Sequence, residues 1–258
     1  MNQAELRRLD PADLIPMDLC LADCPLRIDV MYAGAGSFCG AVYRKDARLS
    51  LHRDMALIIL VAGRFLYQET GFRLELYDGL RTHTAQKLIC ETPIVKAHPH
   101  WTADGPLRMF APPGQGGHPR GMAIDLSIRD QAGQLLDMGT IVDALPEGGM
   151  EPEVNPAHRE YPYLVPSVQK NRALLTDVLL KAAGMIGLPL WPLTVEWWDY
   201  RFPAEIYNLY APLGDEDVPP SLRLTDIFAA DQGVAEMPAG FYEDKAAALA
   251  REAGKYVR

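Results

Sequence analysis

The chain has 258 residues, 48% of them hydrophobic and 23% charged, with a net charge of −9. That is enough apolar mass for a sizeable core, and it excludes wholesale disorder. The acidic balance, with no Lys/Arg run, speaks against a nucleic-acid partner, and the longest apolar run, Met55 to Gly63, is too short to span a bilayer.

The N-terminal twenty residues lack an apolar stretch of signal-peptide length, so a soluble, cytoplasmic protein is expected. Cys20, Cys24, Cys39 and Cys90 form no C-x-x-C pair and read as free thiols of a reducing compartment. Residues 1–45 read as short strands and loops, with "LRIDVMY" alternating and "AGAGSFCG" a connector. A helix is expected from Ser50, its N-cap, with Leu51, Met55, Ile58, Ile59, Ala62, Phe65 and Leu66 at helical spacing and Gly71 at its end. "FRLELYDGLR" follows as a strand running into a turn at Asp78 to Arg81.

Residues 92–117 read as a long loop, the kind that carries function in a compact domain. "GMAIDLSI" reads as a strand and "LLDMGT" as a strand end or loop. "SVQKNRALLTDVLLKAAGMIG" is a second helix, its apolar stripe made by Leu175, Val178, Leu179 and Ala182. "LTVEWWDYRF" is then a strand, residues 211–238 a loop, and "GFYEDKAAALAREAGKYV" a surface helix without chemistry.

Two stretches carry the chemistry. In "TVEWWDYRF", Glu196 and Asp199 sit amid apolar bulk, and buried carboxylates need a partner, a proton or a metal. In "GGHPRGMAID", the turn-forming Pro119-Arg120-Gly121 lets His118 on a loop and Asp125 on the next strand aim at one point. A turn or bulge at Trp197-Trp198 brings Glu196 and Asp199 to one pocket. One imidazole and two acids then make a three-ligand site open at a fourth position, and an acid that does not ligate is a base beside it. The plainer reading is a His capping a turn, an Asp paired with an Arg, and two core tryptophans.

"HPRGMAID" and "EWWD", with "YDGLR", "LDMGTIVD" and "DVMYAGAGSFCG" in the same order, resemble the zinc D-alanyl-D-alanine dipeptidases, the VanX type of the peptidase M15 family. The resemblance covers roughly residues 26–210. It implies an α+β fold of the hedgehog/DD-peptidase kind, an antiparallel sheet with helices packed on one side. It implies His118, Asp125 and Asp199 as metal ligands, Glu196 as general base and Arg81 at the oxyanion. It places Tyr32, Asp78 and Asp143 in a small substrate pocket. One divalent metal is implied, zinc first, with manganese or iron as alternatives. A small peptide is the implied partner, with neither nucleic acid nor membrane, and a homo-oligomer stays open. Residues 1–210 form the dipeptidase-like domain and 211–258 an extension packed on it.

Two positions depart from the family pattern. The third ligand is His in the family and Asp199 here, and a Ser of the family is Gly116 here. The first change removes one positive charge from a zinc site and favours oxygen-loving cations. The second removes a hydroxyl that helps hold substrate. His98 and His100, on the loop before the site, are rival imidazoles. Function therefore divides between a metal-dependent dipeptidase for a small D-amino-acid dipeptide such as D-Ala-D-Ala in cell-wall metabolism, and a non-catalytic descendant that uses the site for binding or regulation. The retained Glu196 and Arg81 favour the enzyme.

Overall fold

The computed structural model describes residues 6–105, 107–229 and 231–257. Two short strands come first, β1 (Leu14–Pro16) and β2 (Leu26–Ile28). β3 (Ser50–His52) pairs antiparallel with β1, Pro16 opposite Ser50. That pairing claims Ser50, so the helix α1 (Arg53–Thr70) begins later than the sequence suggests. Its N-cap is His52, whose side chain accepts from the Asp54 N–H at 3.3 Å. Gly71 ends α1 in the left-handed region at φ 74°, as its position predicts.

β4 (Arg73–Asp78) follows, then α2 (His83–Cys90) and α3 (Pro93–Lys96), so the expected long loop of residues 92–117 carries short helical turns. β5 (Ala123–Arg129), α4 (Pro166–Ile186), β6 (Trp191–Pro192), β7 (Asp199–Arg201), α5 (Ala204–Tyr207) and α6 (Phe241–Ala253) complete the chain. Of the stretch expected as one strand over residues 193–202, only Asp199–Arg201 is strand. Residues 193–198 form the loop of a β6–β7 hairpin, closed by Leu193 N–H to Asp199 C=O at 2.9 Å.

Five strands form one sheet in the order β2-β4-β5-β7-β6. It is mixed rather than antiparallel throughout: β2 runs parallel to β4 and the other pairs are antiparallel. The reason is connectivity, because β2 reaches β4 through a crossover that contains α1, and a crossover of that length allows parallel pairing. Leu74, Leu76, Ile124, Leu126, Ile128 and Tyr200 face the main core, which α1 and α4 complete through Ile58, Ile59, Leu175 and Leu179. α6 packs on α1 and buries Tyr242, Ala246, Leu249 and Ala253. No helix among the described residues is long and apolar enough to cross a membrane.

The opposite face of the sheet is polar. Its register places Asp78 beside Asp125 and Asp125 beside Asp199, a row of three carboxylates across β4, β5 and β7. A bulge makes the row. Leu76 pairs with Leu126, but Asp78 pairs with Asp125, so β4 carries one extra residue at Tyr77. Side chains alternate along a strand, and without the bulge Asp78 would share the core face with Leu76. A second apolar cluster, including Tyr32, Tyr43, Ile89, Trp101 and Phe110, borders this polar face through α2 and the loops.

Gly79 follows the bulge where a Cβ would meet the Ser50 carbonyl oxygen at 2.6 Å. Its backbone therefore lies against β3, and the turn to Arg81 is tight. Gly79→Ala is expected to lower stability by about 1–3 kcal/mol, the usual range for overpacking. Denaturant unfolding checks this, and an unchanged midpoint would contradict the close packing.

Candidate active site

A cavity of about 490 Å³ opens on the polar face, lined among others by Tyr32, Arg81, His118, Asp125, Asp143, Glu196, Trp198, Asp199 and Arg201. His118 opens a single helical turn, His118–Arg120, which Gly121 ends in the left-handed region at φ 62°. The Nδ1–H of His118 donates to the Gly79 carbonyl at 2.8 Å. That bond fixes the ring and leaves Nε2 toward the cavity. Asp199 Oδ2 lies 3.3 Å from Nε2 and Asp125 Oδ2 lies 3.6 Å from it. Asp78 approaches the other nitrogen, 3.7 Å from Nδ1.

Asp78 is fully engaged by the protein. Tyr43 donates to Oδ1 at 2.9 Å and Arg81 Nε to Oδ2 at 2.7 Å. Arg81 and Asp78 therefore form a buried ion pair. Arg81 also reaches Gln86 at 3.2 Å and Asp125 Oδ2 at 3.3 Å, and its guanidinium lies 5.1 Å from the Tyr32 ring centre. Tyr32 donates its hydroxyl to Asp143. Asp143 is the one non-glycine with positive φ, 56°, among the described residues, a strained conformation that holds its carboxyl at the cavity wall.

Glu196 sits at the tip of the β6–β7 hairpin. The loop is held from behind by Arg159, which donates to the carbonyls of Leu193 at 2.8 Å, Trp197 at 2.9 Å and Asp199 at 3.1 Å. Asn155 adds a bond to the Val195 carbonyl at 2.8 Å. Both tryptophans are buried; Trp198 forms cavity wall and Trp197 donates to Thr140 at 2.7 Å. Glu196 itself makes no side-chain hydrogen bond to the described residues. The expected turn at the two tryptophans thus brings Glu196 and Asp199 to one cavity.

Asp199 has a partner that the sequence reading did not single out. Arg201, two residues on along β7, grips it in a bidentate pair, with Nε to Oδ1 at 2.8 Å and Nη2 to Oδ2. The signal was present: residues two apart on a strand face the same way. Tyr43, Gln86, Arg159 and the Gly79 carbonyl were also missed, and none has a sequence signature, because each arrives through tertiary packing. His98 and His100 stay away from the cavity. His98 stacks on Trp101 at 4.1 Å and its Nδ1 meets the Ile94 carbonyl at 2.8 Å.

The electrostatics carry a surplus of negative charge. Asp78, Asp125, Asp143, Glu196 and Asp199 converge on two guanidiniums, Arg81 and Arg201. Burial, reinforced by Asp199, Asp125 and Asp143, pushes Glu196 up to about 8. Burial and Asp125 push Asp143 up to about 6. Burial opposes the charge on His118, but the Asp125 and Asp199 carboxylates outweigh it and raise the imidazole to about 10. Burial alone would raise Asp199 too; Arg201 and His118 instead hold it well below the usual carboxylate range.

The donors fit a divalent cation. Asp125 Oδ1 is buried without a hydrogen-bond partner among the described residues, an expensive state for a carboxylate oxygen. Asp78, His118 and Asp125 bring ligand atoms within 4.8 Å of one another, all three buried. A divalent charge here would offset the surplus of acid.

Known proteins give the same reading. The Peptidase_M15 profile, described as D-ala-D-ala dipeptidase, matches residues 10–212. The D-alanyl-D-alanine dipeptidase of Escherichia coli (strain K12) is 30% identical over 203 residues, which cover 78% of this chain and 91% of that protein. The match takes in the bulged β4, the His118 turn, β5 and the hairpin, so the chain belongs to the M15 family of D-Ala-D-Ala dipeptidases.

Proposed function

We propose that the protein is a metal-dependent dipeptidase that hydrolyses a small D-amino-acid dipeptide such as D-Ala-D-Ala, in cell-wall metabolism. One observation carries the reading: Glu196, whose carboxyl makes no hydrogen bond to the described residues, lines a cavity in which His118 Nε2 and two aspartates converge. A non-catalytic descendant would have no use for that unpaired acid.

His118, Asp125 and Asp199 would hold the cation, because both aspartates face Nε2. Asp78 is the less suitable third ligand, since it lies toward Nδ1 and is spent on Tyr43 and Arg81. Asp199 shares its carboxylate with Arg201, so the aspartate in this place keeps a fixed orientation. A bound divalent cation, zinc foremost and manganese or iron as alternatives, supplies Lewis acidity toward water and the peptide carbonyl. Glu196 takes the proton of the attacking water and returns it to the leaving amine. A carboxyl whose pKa is lifted toward neutrality suits both halves of that exchange. Arg81 uses three of its five N–H donors on Asp78, Gln86 and Asp125, so two remain for the developing oxyanion. Tyr32 and Asp143 line the substrate's place, while Asp78 anchors Arg81.

The reading treats residues 1–210 as the dipeptidase-like domain in a hedgehog/DD-peptidase type of fold, with 211–258 packed on it. The buried Asp215 supports that packing: it accepts from Thr82, the N-cap of α2, at 2.6 Å and from the Thr225 N–H at 2.8 Å. The four unpaired cysteines agree with a cytoplasmic location.

Purified protein is expected to carry about one divalent ion per chain by elemental analysis, and His118→Ala and Asp199→Ala to lose it. No stoichiometric ion in unchelated wild type would overturn the ligand set. With D-Ala-D-Ala as substrate, Glu196→Gln is expected to lower kcat by about 10²–10⁴ with KM little changed. Activity equal to wild type would remove Glu196 from the mechanism. The raised pKa also has a cost in stability. Between the ordinary value of 4.5 and the folded value of about 8, folded Glu196 keeps a proton that the unfolded chain releases, so this group lowers stability as pH rises through that window. In chelator, Glu196→Gln is expected to melt about 2–4 °C above wild type at pH 8, and at the same temperature once the pH is below 4.5. A melting difference independent of pH would show that Glu196 ionises normally.

A further inference from the structure

The two guanidiniums in the cavity are not equivalent. Every nitrogen of Arg81 is engaged: Nε on Asp78, Nη1 on Gln86 and Nη2 on Asp125. Arg201 spends Nε and Nη2 on Asp199 and leaves Nη1 with no partner among the described residues. The Arg201 side chain keeps 21% exposure and lines the cavity. From this contrast we infer that Arg201 Nη1 anchors the free α-carboxylate of the substrate, which makes Arg201 the residue that selects peptides with an unblocked C-terminus. The inference rests on the dipeptidase reading and deepens it.

Three further observations support it. First, the space beside Nη1 is kept open by Gly116: a Cβ built there meets nothing closer than Arg201 Nη1, at 3.7 Å. Gly116 has φ 82°, so a side chain at this position is disfavoured by backbone as well. The cavity floor therefore lacks a side chain at the place where a cation projects. Second, the pairing with Asp199 orients the guanidinium. Two parallel bonds fix its plane, so Nη1 is already held in place and little entropy is lost when a carboxylate arrives. Third, the charges are arranged with polarity. Tyr32 and Asp143 lie on the β4 flank beside Arg81, and Arg201 lies on the β7 flank beside Asp199. The row from Asp78 to Asp199 crosses two strand intervals, about 10 Å. An extended dipeptide is about 7 Å long, so its amine reaches toward Asp143 and its carboxylate toward Arg201 while its peptide bond lies at the His118–Glu196 centre. A longer peptide, or one capped at its C-terminus, leaves Nη1 without a counter-charge.

The test compares D-Ala-D-Ala with its C-terminal amide by calorimetric titration of metal-loaded Glu196→Gln protein, in which turnover does not interfere. The free acid is expected to bind at least tenfold more tightly than the amide. Adding Arg201→Gln is expected to cut that preference below threefold. Because an unpaired Asp199 can disturb folding or metal content, Arg201→Lys keeps a cation beside Asp199 and is expected to retain part of the preference, with the bound ion measured in each variant. Equal binding of acid and amide before Arg201 is changed, a preference that survives undiminished in Arg201→Gln, or binding of neither compound overturns the inference. Failure of wild type to hydrolyse D-Ala-D-Ala, with the acid still preferred over the amide in an Arg201-dependent way, overturns the peptidase reading and leaves the carboxylate anchor standing.

Discussion

Three aspartates stand in one row across three neighbouring strands, and the rest of the site is organised around that concentration of negative charge. Burying a carboxylate costs several kcal/mol unless it is paired, and the sheet register leaves Asp78, Asp125 and Asp199 no means of avoiding one another. The protein answers each differently. Asp78 is neutralised by Arg81 and Tyr43, and Asp199 by Arg201. Asp125, in the middle, shares Arg81 and keeps one oxygen without a hydrogen bond to the described residues. The unmet demand lies on Oδ1 of the central aspartate, while its Oδ2 stands 3.6 Å from His118 Nε2, so a cation would be most strongly held at this residue.

That arrangement links backbone to chemistry. The bulge at Tyr77 costs a regular ladder pairing and turns Asp78 out of the core. Asp78 then positions Arg81, and the Gly79 carbonyl that follows fixes His118. On the other edge, Arg159 ties down the hairpin loop whose tip presents Glu196. The site is therefore built from strand ends and tight turns rather than from flexible loops, so small displacements are resisted by sheet packing on one side and by Arg159 on the other.

Much of this was legible in the chain itself. The helical stripes of α1 and α4, the β5 strand and the convergence of His118, Asp125, Glu196 and Asp199 follow from periodicity, turn chemistry and the order of the motifs. What sequence could not give was set by tertiary contacts. Ser50 satisfies the rule for an N-cap, yet strand pairing with Pro16 claims it and His52 caps instead. "LTVEWWDYRF" has the composition of a strand, but the hairpin closes at Asp199 and makes its first half a loop. The parallel β2–β4 pair has no local signal, because only the path of the crossover decides it. Arg201 shares a strand face with Asp199, but that two-residue spacing marks them as partners only where the chain is strand, and the hairpin alone decides that β7 begins at Asp199.

The most direct test of the account is a crystal structure of the protein grown with zinc, with the ion located by its anomalous scattering. The ion is expected on the Nε2 side of His118, bound by Asp125 and Asp199. An ion lodged instead between Asp78 and Nδ1, or bound only at the surface, would contradict the claim that the centre of the aspartate row is the metal site.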